Sequence, residues 1–108
     1  MSWTSLCQLD ELSEGRGKYV EIDGFRLAVF LHEAQVYALD NTCPHAGGSL
    51  ADGQIVDGRA VCPRHQWSFG LKRGQLRDMP HVTVRTYPTR LLARDGQPIL
   101  VQADLPIF

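Results

Sequence analysis

Residues 43–50 read CPHAGGSL and residues 62–69 read CPRHQWSF. Each stretch offers a cysteine, a proline and a histidine in the same order, so the whole pattern is C-x-H-x16-C-x2-H. In a reducing setting, clustered cysteine and histidine point to a metal rather than to a disulfide. Two kinds of centre compete for such a set. Structural zinc takes four of these ligands tetrahedrally, but generally in like pairs, two cysteines and then two histidines. Here Cys43 and His45 are followed by Cys62 and His65. That order suits a binuclear iron–sulfur centre in which one iron takes both thiolates and the other both imidazoles. Gly47 and Gly48 lack side chains and let backbone N–H groups come close to bridging sulfides.

The residue choice has an electrostatic consequence. Two ferric ions, two sulfides, two thiolates and two neutral imidazoles sum to no net charge, whereas an all-cysteine cluster is a dianion. Adding an electron to a neutral centre costs less work, most of all at low dielectric. Histidine ligation therefore raises the reduction potential, into a range of roughly −150 to +300 mV.

The rest of the chain narrows the function classes. At 108 residues it is read as one domain, 1–108, able to bury a core without disulfide staples. The opening residues MSWTSLCQLDEL lack the basic start, apolar run and cleavage site of a secretory signal. No window approaches twenty apolar residues, so no membrane span is expected. With Cys7 far from the other two cysteines, a reducing cytoplasmic setting fits. A net charge of −1 gives no basic excess for nucleic acid. The charge is uneven, however. Residues 1–54 carry eight acids and three bases, and residues 55–108 carry four acids and eight bases. This asymmetry is either scattered solvated charge or a basic docking face around Arg64, Lys72, Arg73 and Arg77.

Short strands broken by turn signals predict an all-β fold. GKYVEID and FRLAVFLH flank Asp23-Gly24, a hairpin signal, and VYALD follows a second tight turn. GRAVCP reads as a strand entering the second Cys–His loop. VRTYPTRLLAR and PILVQA flank Asp95-Gly96, with Pro88 marking an edge strand or a bulge. LDELSEG is the one candidate helical turn. Residues of about 40–80 form a loop-rich, Gly- and Pro-dense insert that holds both Cys–His pairs on a rigid β scaffold.

With these motifs the chain resembles the Rieske ferredoxin family, which includes the small subunits of assimilatory nitrite reductases. The resemblance implies stacked antiparallel sheets with a small cluster-binding subdomain and one [2Fe–2S] cluster per chain. It also implies Cys43 and Cys62 on the buried iron and His45 and His65 on the iron nearest solvent. Respiratory members carry an extra, disulfide-forming cysteine in each loop, at positions that correspond here to Gly48 and Arg64. They also place serine and tyrosine donors after the second histidine, where this chain has Trp67 and Phe69. Fewer donors to sulfur imply the low-potential group. Gln66 stands where ferredoxins of oxygenases usually have glycine. Pro80 resembles the proline-bearing third loop that covers the cluster. His32 and His81 are read as surface histidines, and Trp3 and Cys7 as packing residues of a first strand.

The expected function is one-electron transfer from a flavoprotein reductase to a terminal oxygenase, with no catalytic residues. An oxygenase's own chain would need a further 2-His-1-carboxylate site. Two alternatives stay open, a nitrite reductase small subunit bound to its large subunit, and a structural zinc module in an interaction protein.

Overall fold

The unbroken apolar run of FRLAVFLH becomes the central strand. It is β3 (Phe25–His32), in which Leu27, Ala28, Val29 and Phe30 are all fully buried. Successive side chains of a strand point to opposite faces, so such a run needs cover on both. On one face Ala28 and Phe30 pack with Leu39, Cys43, Leu50, Cys62 and Phe69. On the other, Val29 packs with Val101, and Leu27 with Ala103 and Leu105.

The structure is a computed structural model that describes residues 2–44, 47–64 and 66–106. Its strands form three antiparallel sheets. β3 lies in the middle one with β2 (Gly17–Ile22), β4 (Gln35–Asp40) and β8 (Thr86–Tyr87), in the order β2-β3-β4-β8. The sheet on the Leu27 side joins β1 (Ser2–Gln8), β9 (Thr89–Arg94) and β10 (Gln97–Leu105), in the order β1-β10-β9. On the cysteine side lies a small sheet of β5 (Gln54–Val56), β6 (Arg59–Val61) and β7 (Ser68–Gly70), in sequence order. The all-β expectation holds. The stretch read as loop-rich also contains this three-stranded sheet: GRAVCP supplies β6 as expected, while β5 and β7 are too short for a periodic pattern to announce them.

Three hairpins turn on residue pairs with positive φ at both positions, which matches strand twist. Asp23-Gly24 (φ 49° and 83°) joins β2 to β3, and Asp57-Gly58 (52° and 72°) joins β5 to β6. Glu33-Ala34 (50° and 64°) does the same between β3 and β4 without a glycine. VRTYPTRLLAR does not form one strand. Pro88 divides it, leaving β8 on the middle sheet and β9 on the outer sheet. Having no N–H, proline breaks a ladder at little cost where the chain changes sheets, and its carbonyl accepts from Asp104 N–H at 2.9 Å. LDELSEG contributes one 3-10 turn, Leu9–Glu11. Among the described residues, no helix is long and apolar enough to cross a membrane.

Candidate metal centre

The two quoted stretches fold alike. Thr42 bridges Ser49 at the base of the first loop, and Val61 pairs with Ser68 at the base of the second. Inside each base, the cysteine N–H donates to the carbonyl five residues on, Cys43 to Gly48 at 2.9 Å and Cys62 to Trp67 at 2.7 Å. Each cysteine carbonyl accepts from the N–H four residues on, Gly47 and Gln66 respectively, both at 2.9 Å. Those fourth residues share a left-handed backbone, φ 68° at Gly47 and 61° at Gln66. The chain thus builds one cysteine turn twice. His45 and His65, the expected partners of the cysteines, lie outside the described residues.

The turns meet at Gly48. Its carbonyl holds Cys43 N–H, and a Cβ on it would stand 2.8 Å from Cys62 Sγ and 3.1 Å from the Arg64 stem. Only a residue without a side chain allows that approach. The contact also brings together Gly48 and Arg64, the two positions at which respiratory relatives were expected to carry a disulfide. No disulfide joins Cys7, Cys43 or Cys62. Cys43 and Cys62 are 1% and 0% exposed within one apolar cluster. A pair of thiolates withdrawn from water is costly unless a cation neutralises them. Two unbridged cysteines presented by matching turns from a dry core therefore fit the thiolate end of an iron–sulfur cluster.

The other expected residues fall around this centre in different ways. Phe69 is fully buried in the same apolar cluster, and Trp67 is half-buried against it. Arg64 is exposed at the loop surface. Pro80 is exposed in a turn closed by Leu76 N–H to Val82 O and Val82 N–H to Met79 O, both 2.9 Å. That third turn is tied to β7, the exit strand of the second loop, by Arg77 N–H to Ser68 O at 3.1 Å.

Two positioning residues escaped the sequence reading. Asn41 is buried, and its Oδ1 accepts from Ala51 N–H at 2.8 Å while its side-chain amide bonds Ser49 Oγ at 3.0 Å. It closes the first loop from beneath. Arg59 donates from Nε to Ser68 Oγ at 3.1 Å and from Nη2 to the carbonyls of Ser68 and Gln75. It ties the second loop's exit strand to the third turn. The only signal for either was its place next to a loop, since both act through contacts distant in sequence.

Cys7 and the remaining histidines are elsewhere. Cys7 packs with Leu12, Val20, Val29 and Val101 on the opposite side of β3, where burial, and then the Glu11 charge, push its thiol up to about 11. His32 is half-buried at the β3–β4 turn with Nδ1 3.1 Å from Glu14, and His81 is exposed.

Comparison with known proteins agrees with this geometry. The Rieske [2Fe-2S] domain family model matches residues 2–88. The ferredoxin component of a naphthalene 1,2-dioxygenase system from Pseudomonas aeruginosa is 32% identical over 101 residues, covering 92% of this chain and 93% of that protein. A ferredoxin from Sphingomonas yanoikuyae B1 superposes with a TM-score of 0.81 at 29% identity, over 97% of this chain and all of that one. A Mycobacterium tuberculosis protein described as the small subunit of an NADH-dependent nitrite reductase superposes at 0.83 and 28% identity, over 98% and 97% of the two chains. By motif, fold and family match, this chain belongs to the Rieske [2Fe–2S] domain family.

Proposed function

We propose that the protein is a cytoplasmic one-electron carrier, passing electrons from a flavoprotein reductase to a terminal oxygenase through one [2Fe–2S] cluster per chain. In this reading Cys43 and Cys62 hold the buried iron and His45 and His65 the outer one. We assign the whole of 1–108 to one such domain, with residues of about 40–80 as its cluster-binding subdomain. The observation that carries the reading is the pair of matching turns that meet at Gly48 with both cysteines in a dry core. When bound, the cluster supplies a one-electron couple.

The chain's residues shape that couple. Phe69 and the apolar cluster around the cysteines exclude water from the thiolate side. Phe69 offers no hydrogen bond to sulfur, and Trp67 has only its indole N–H to give, so little stabilises the reduced state. Gly47 and Gly48 keep the first loop narrow enough for backbone donors to approach. The ferredoxin relatives of dioxygenase systems support the oxygenase as terminal partner.

Substitution of Cys62 by serine tests the ligand assignment. The expected variant retains little iron and loses stability, because order in the loops depends on the metal. Native iron content with an unchanged electron paramagnetic resonance spectrum would overturn the assignment. The second reading, a nitrite reductase small subunit, is favoured by the Mycobacterium tuberculosis likeness and by Gln66. Purification with associated chains separates the two, since a large reductase subunit would accompany one and not the other.

A further inference from the structure

The structure divides the basic residues of the second half into two sets. Arg77 lines a groove with Val56, Val61, Gln66 and Ser68, and Val61 and Gln66 flank the Cys62 loop. Arg64 is exposed on that loop, its stem against Gly48. Lys72 and Arg73 line a different groove, with His32 and Glu33 of the β3–β4 turn across from them. Among the described residues, none of 43–44, 47–48, 62–64 or 66–67 borders that second groove. Asp57 and Arg59 stand on the ridge common to both, and Arg59 is already committed to Ser68 and Gln75.

Several features set the Arg77 groove apart. It is lined by two bases, Arg59 and Arg77, and one acid, Asp57, whereas the other groove adds the acid Glu33. Among the described residues, neither Arg64 nor Arg77 has an ion-pair partner. Val56 is 51% exposed and lines the groove together with Arg77, an apolar residue beside a cation as at protein-docking sites. Gln66 holds a left-handed backbone at φ 61° that glycine would adopt without cost, and its exposed side chain lies in this groove. Strain kept at such a position is a pointer to function.

We propose that the Arg77 groove and the Arg64 tip together dock an acidic protein redox partner. A partner carboxylate is received by the Arg77 guanidinium and the Gln66 amide, and an apolar partner side chain rests on Val56. The proposal builds on the electron-carrier reading. Lys72 and Arg73 are left outside the interface.

Electrodes of defined chemistry test it on the loaded protein. Gold coated with a carboxylate-terminated monolayer stands in for the acidic partner, and an ammonium-terminated monolayer serves as control. The native protein should exchange electrons roughly tenfold faster on the carboxylate surface at low salt, and lose that advantage as salt rises. R64E/R77E should lose most of the advantage, in both rate and adsorbed mass measured by quartz microbalance. K72E/R73E changes net charge by the same amount and should keep most of it. Equal rates on the two surfaces, or equal losses in the two double variants, would overturn the proposal. The visible absorption and midpoint potential of the native protein report on the cluster separately. Their absence would overturn the carrier reading itself, and the docking proposal with it.

Discussion

Gln66 and Gly47 occupy the same place in two copies of one turn, yet only one of them is glycine. A side chain on a left-handed backbone meets its own carbonyl, at a cost on the order of 1 kcal/mol. Gln66→Gly should therefore raise stability by about 0.5 kcal/mol, because part of the relief is offset by the freer unfolded chain. Gly47→Ala should lower it by about 1 kcal/mol. Thermal midpoints of preparations with equal iron content check both signs. Cys7 provides a prediction in pH. Its folded value of about 11 exceeds its ordinary value of 9.0, so the stability it contributes is present below pH 9.0 and is lost as pH rises through about 11. Cys7→Ala should flatten that alkaline decline in denaturant titrations, and Cys7 of the native protein should alkylate slowly at pH 8. The cysteine spacing was legible in the sequence because ligand chemistry leaves few alternatives. The left-handed Gln66 was not, because glutamine carries no local signal for that backbone.

At the scale of elements, Asp23-Gly24 announced its hairpin, since both residues accept positive φ readily. Glu33-Ala34 adopts the same turn under the pull of the β3–β4 ladder, where tertiary pairing overrides residue preference. Pro88 was legible as an interruption, but the change of sheet it permits depends on partners remote in sequence. Asn41 shows the same limit for the site. Its bonds to Ser49 and Ala51 span eight and ten residues, and nothing in the local pattern around it foretells them. Asn41→Ala leaves the Ala51 N–H buried without its acceptor, at a cost of about 1–3 kcal/mol. It should also loosen the first loop. Chemical denaturation should show the lost stability, and faster iron release to a chelator should show the loosened loop. A variant that releases iron at the native rate would show that the first loop holds its shape without Asn41.

Across the whole molecule, β3 is shared among three apolar clusters, one of which includes Cys43 and Cys62. The cysteines proposed as ligands and the scaffold are therefore one packing unit, and removal of iron should lower the stability of the middle sheet as well as the loops. Hydrogen exchange at Ala28 and Phe30, compared with and without iron, measures that coupling. A redox cluster on a Cys2His2 set would fix both the iron content and the electron uptake of the chain, and iron analysis combined with a coulometric titration of the purified protein reads the two together. About two irons per chain, uptake of about one electron per chain, and a midpoint on the order of −150 to 0 mV are expected. A colourless protein that holds a single zinc and takes up no electron would contradict that cluster assignment.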